Sequence, residues 1–137
     1  MKKLLLLLLL YLSSINSINA ADDKSQVNLS CAIYETFHWD NLTTSKTKPE
    51  DESLILYLDI EMYTYDGVTG YFDLIGNEIK FSLYSGDEDF SMKWDYSLDR
   101  TTSVFEYDVS VKTPNTGNEY EMGLTHKGKC RRSENLF

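Results

Sequence analysis

From Val27 the chain alternates apolar and polar positions with a period of two. Val27, Leu29, Cys31 and Ile33 alternate with Asn28, Ser30 and Ala32. That pattern gives a strand one apolar face and one wet face. Residues 54–65, LILYLDIEMYTY, read as one long strand. Leu54, Leu56, Leu58, Ile60 and Met62 share its apolar face, and Tyr57, Tyr63 and Tyr65 fall on the opposite one. Between these two strands, residues 40–53 carry one proline and no periodicity, which predicts a polar loop, long for a compact domain.

The alternation then recurs over residues 71–75, 78–85, 90–98, 105–112 and 119–126. Turn-forming residues separate the runs: DGVTG, Gly76-Asn77, SGDED, DRTT and TPNTGN. Gly76-Asn77 has the composition of a two-residue hairpin turn. No stretch shows an apolar stripe at helical spacing. The reading is all-β: an antiparallel meander of about seven strands, forming a small closed or nearly closed barrel or a sandwich. Closure removes the exposed strand edges that invite aggregation.

The two cysteines, Cys31 and Cys130, sit in the first strand and just beyond the last. The N-terminus points to their compartment. Lys2 and Lys3 precede a leucine-rich run over 4–12, and a short polar stretch ends in small residues at Ala20 and Ala21. That is the layout of a secretory signal peptide, residues 1–20, and the run is too short to span a bilayer. Residues 21–137 then form a single secreted domain, periplasmic if the host is Gram-negative, with a short polar tail at 131–137. No second apolar run follows, so no membrane insertion is expected after cleavage. Export allows an intramolecular disulfide, and two cysteines permit one pairing. It closes a loop of about 100 residues, worth about 4.7 kcal/mol in the chain-entropy treatment. It brings the first and last strands together, as a barrel requires.

The formal charge is −9, with acids spread along the chain, and loss of Lys2 and Lys3 makes it more negative. This opposes binding to nucleic acid or to anionic membranes. Candidate chemistry is sparse. His38 and His126 fit no metal spacing, and the acidic runs PEDES and GDED lack the calcium-loop pattern. No nucleophile motif, phosphate loop or dinucleotide fingerprint occurs. No cofactor or metal is expected, and an enzyme is disfavoured, with a small hydrolase the least favoured reading. Asn28 and Asn41 begin glycosylation sequons, read as chance matches.

Aromatic content is the remaining signal: ten tyrosines, six phenylalanines and two tryptophans. Trp94, Tyr96, Phe105, Tyr107 and Tyr120 fall on faces read as buried. Tyr57, Tyr63, Tyr65 and Tyr84 fall on polar faces. These four are the candidate binding surface, set against the simpler reading of cross-strand pairs on a wet sheet.

A leader, a cysteine in the first strand, a meander and the ending Gly128-Lys129-Cys130 together resemble small two-cysteine periplasmic β-proteins of Gram-negative bacteria. The layout also looks loosely like lipocalin and periplasmic lysozyme-inhibitor barrels. Trp39, in HWD, is not part of the lipocalin Gly-x-Trp, and no Ser/Gly-rich inhibitor loop is present. The functional expectation is a non-catalytic binding module for a protein or a small ligand, with a structural envelope-associated protein as the alternative.

Overall fold

The computed structural model describes residues 26–133. The expected signal peptide and residues 134–137 of the tail lie outside them. The strands are β1 (Gln26–His38), β2 (Thr43–Tyr57), β3 (Met62–Tyr65), β4 (Val68–Tyr71), β5 (Asp73–Ile75), β6 (Glu78–Gly86), β7 (Ser91–Asp99), β8 (Val104–Lys112) and β9 (Glu121–Arg132). All pairings are antiparallel, in the order β4-β3-β2-β1-β9-β8-β7-β6-β5. The first and last strands lie side by side in the middle of this order. Its two ends, β4 and β5, are joined through Phe72, so the sheet curls into a nearly closed barrel.

Cys31 and Cys130 are register partners, bonded with their α-carbons 3.9 Å apart. Cys31 is fully buried. Around the bridge pack Leu54, Leu56, Ile79, Leu98 and Phe105, all inward-facing. Phe72 is also buried there, at the corner between β4 and β5. A disulfide at this depth implies folding in an oxidising compartment.

Three expectations about the chain need correction. The run 54–65 is a hairpin, not one strand. Residues 58–61 turn, and Tyr57 pairs with Met62. Leu58 and Ile60, read as buried, are 38% and 54% exposed. The inward face therefore changes from even positions in β2 to odd ones in β3. Tyr63 and Tyr65 face the core instead of solvent, at 2% and 5% exposure.

Nor are residues 40–53 a loop. The turn is confined to 39–42, and β2 begins at Thr43, paired with β1 from His38 onward. This half of β2 is exposed, so it carries no apolar alternation. Pro49 falls where the β1–β2 register shifts, one of the few places a strand tolerates proline. At the other end of the chain, Arg131 and Arg132, expected in the tail, belong to β9.

The turns have consistent chemistry. Asp66-Gly67 makes a two-residue hairpin with positive φ at both residues, and Gly76-Asn77 makes another with positive φ at Gly76. The turns over 39–42, 58–61 and 100–103 each end in a residue with positive φ: Leu42, Glu61 and Ser103.

Candidate functional site

The barrel fails to close along one side. β3 ends at Tyr65, opposite Leu54, so β2 from Thr43 to Ser53 has β1 on one edge and no strand on the other among the described residues. Across the gap, β5 covers β6 only over Glu78–Lys80, leaving Phe81 to Gly86 with β7 on one edge. Phe72 closes the lower part of this seam. Above it the seam opens into a cleft of about 510 Å³, lined by Glu52, Tyr65, Trp94, Tyr96 and Tyr107, with Leu83 and Tyr84 on the β6 side. Cavities of about 300–1,000 Å³ hold small ligands.

An aromatic column forms the inner wall. Tyr63 stacks on Phe81 at 4.0 Å between ring centroids, and Phe81 stacks on Tyr96 at 4.7 Å. Tyr96 lies 4.9 Å from both Tyr65 and Tyr107. Tyr107 leans on His126 at 4.6 Å. These are cross-strand neighbours on one inward face, such as the register pairs Phe81–Tyr96 and Tyr96–Tyr107.

Glu52 is the carboxylate that β2 contributes to this wall, and Asp66, at the β3–β4 turn, also lines the cleft. Glu52 is the register partner of Cys31, one position above the core layer. It is half-buried and accepts a hydrogen bond from the Tyr65 hydroxyl. No lysine or arginine pairs with it among the described residues. Burial raises the Tyr65, Tyr96 and Tyr107 pKa values above the ordinary tyrosine value, Tyr107 to about 12, and the Glu52 charge adds to the shift at all three.

Farther along the wall lies a small polar cluster. Thr36 is buried and its Oγ1 lies 2.9 Å from His126 Nδ1 and 3.3 Å from Thr47 Oγ1. Burial, then the nearby His38, pulls the His126 pKa down. The imidazole is thus bonded to a threonine and packed at a tilt against Tyr107. No cluster of metal-ligating side chains occurs among the described residues. In the acidic turn after β6, Asp87 accepts the backbone N–H groups of Asp89 and Phe90, which engages one of its oxygens in the turn itself.

Of the four candidate surface tyrosines, the structure brings Tyr65 and Tyr84 to the cleft. Tyr63 is buried beside it and Tyr57 is half-buried elsewhere on β2. Tyr84 is 65% exposed and forms the rim, with Lys93 Nζ 5.9 Å from its ring centroid. Tyr120, read as buried, is exposed and hydrogen-bonds Ser91. Glu52 was missed because it lay in the stretch read as a loop. Its even position, in step with Leu54 and Leu56, was the available signal.

A second hollow, about 260 Å³, lies at the opposite end, lined by Val27, Leu29, Leu56 and Leu98 and rimmed by Arg100 and Arg132. It is below the usual ligand-site size and adjoins both ends of the described chain. Searches of protein-family models, of curated proteins and of solved structures found no match to this chain.

Proposed function

We propose that this is an exported, non-catalytic binding module that holds a small ligand in the seam cleft. The observation that supports it is the unclosed seam itself. Sequence-adjacent strands β4 and β5 bring the sheet nearly to closure, yet the wall above Phe72 stays open and is lined by aromatic rings. Aromatic walls with a few placed polar groups are the usual composition of ligand sites. The signal-peptide pattern and the buried disulfide both accord with export.

Native mass spectrometry of protein recovered from its own compartment tests this reading. The expected result is a bound small molecule, released on denaturation and lost in Trp94→Ala while the circular dichroism spectrum is kept. An unliganded mass, together with no response of the Trp94 signal to a fragment library, rejects it.

A protein partner is the second reading. Trp39 and Leu42 stand 45% and 71% exposed at the tip of the β1–β2 hairpin. Exposed apolar side chains on a protruding turn suit an inhibitor-like contact.

A further inference from the structure

We infer that the ligand of the seam cleft carries an organic ammonium group, held against Glu52 and its surrounding tyrosines. The inference rests on the cleft being a ligand site. It starts from an imbalance. Glu52 is a half-buried carboxylate with one protein hydrogen bond, from Tyr65, and no cationic partner among the described residues. Removing a carboxylate from water without a counter-charge is unfavourable, and proteins usually pair such groups. Tyr65 supplies a single donor to a group that accepts several.

The surroundings favour a soft, partly apolar cation. Tyr65, Tyr84, Trp94, Tyr96 and Tyr107 line the same space. Aromatic rings attract cations through their quadrupoles, and desolvated ammonium groups gain most from this. Leu83 and Val68 add apolar wall for an attached hydrocarbon part. Asp66, at the β3–β4 turn, adds a second negative charge at the cleft. The net charge of −9 attracts cations from a distance and repels anions. Lys93 already lies near the outer rim ring of Tyr84, but it pairs with Asp95 at 2.8 Å and leaves Glu52 unpaired. A small free amine and a lysine side chain of a partner present this same chemistry.

Choline and its uncharged isostere 3,3-dimethylbutan-1-ol differ in little but charge. Titrating each into the oxidised protein, with the Trp94 indole N–H followed by NMR and Trp39 as internal control, isolates the ammonium. Nα-Acetyl-lysine amide is run beside them to separate the two sources, and indole serves as a neutral aromatic probe. The expected result is that choline or the lysine amide shifts Trp94 at least tenfold more tightly than the isostere. Glu52→Gln should then weaken the cation at least tenfold. The comparison of choline with its isostere on the native sequence stands even if Glu52→Gln fails to fold. Equal binding of choline and isostere, or binding of indole alone, overturns the ammonium assignment and leaves the cleft as a site. No response to any probe overturns both.

Discussion

The Tyr65 hydroxyl donates to Glu52 Oε2 where β3 ends and the barrel wall opens. Two neighbouring strands of a hairpin thereby place the core's last aromatic and the cleft's half-buried carboxylate in direct contact. Tyr65 is 5% exposed, so its ring belongs to the core while its hydroxyl belongs to the site.

Tyr65→Phe separates these roles. The ring contacts with Tyr96 and Phe105 are kept, and the donor to a charged acceptor is lost. Bonds to charged groups contribute roughly 1.5–3 kcal/mol, and water reaching the half-buried Glu52 recovers part, so the expected loss is about 1–2 kcal/mol. Urea unfolding of Tyr65→Phe, Glu52→Gln and the double variant measures it. The double variant should lose less than the sum of the two. Strict additivity would show that the bond carries no coupling.

Alkaline pH should weaken the fold through the same wall. Burial raises the pKa of Tyr63, Tyr65, Tyr96 and Tyr107, and Glu52 adds to the effect at the last three. A tyrosine with a raised folded pKa keeps its proton after the unfolded chain has lost it. Its contribution is complete below about pH 10, the ordinary tyrosine value, and is lost as pH rises through the folded value, about 12 for Tyr107. Urea midpoints should fall between pH 9 and 11. Absorbance at 295 nm should show a set of tyrosines ionising only as the protein unfolds. A single phase near pH 10 in folded protein contradicts this.

Alternation in β1, β6, β7 and β8 was legible because each has one inward face. The disulfide followed from there being two cysteines and a leader pattern read as an export signal. The hairpin at 58–61 was not legible. Its turn residues are Leu, Asp, Ile and Glu, with no glycine or proline to interrupt the pattern, so the face reversal that buries Tyr63 and Tyr65 was hidden. The upper half of β2 was hidden for the opposite reason: with no apolar face to bury, Thr43 to Asp51 carries polar side chains apart from Pro49. The cleft draws on β2, β3, β4, β6, β7 and β8. Their meeting depends on where β3 and β5 stop, which no local pattern encodes.

The Cys31–Cys130 bridge joins residues 99 apart in sequence and is buried. Cys31→Ala/Cys130→Ala should lower stability by about 2–5 kcal/mol, since the unfolded chain regains a loop of that length. In the native protein, reduction should need prior unfolding. Thiol labelling under dithiothreitol, with and without urea, checks this. Rapid reduction without urea would mean that the β1–β9 pair opens locally.

Gly128 is held by close approach. A Cβ there would lie 2.2 Å from the Ala32 carbonyl oxygen and 2.9 Å from Ile33 Cδ1. Gly128 pairs with Ile33, at the edge of the register shift between Ile33 and Glu35. Since backbone cannot swing aside, Gly128→Ala should cost about 1–3 kcal/mol, the range for overpacking. It should also slow disulfide formation during refolding, because Cys130 lies two residues away. An unchanged urea midpoint would show that the two strands can separate freely.

Leu42 should behave in the opposite sense. It is 71% exposed and takes φ 55°, a left-handed conformation that costs a leucine roughly 1–2 kcal/mol. Glycine takes that φ without strain but loses more freedom on folding, so the net gain for Leu42→Gly is about 0.5 kcal/mol. Leu42→Asn should also be tolerated, and Leu42→Val should destabilise, because a branched Cβ crowds the left-handed backbone. Thermal unfolding of the three variants gives the order Gly, Asn, wild type, Val. That order would mean that a leucine occupies the hairpin tip against the preference of its backbone and with little burial in return. Such a residue is one kept for contact, as the partner reading of Trp39 and Leu42 requires. If Leu42→Gly is instead less stable than the native protein, the leucine supports the turn, and the case for a partner at the tip rests on Trp39 alone.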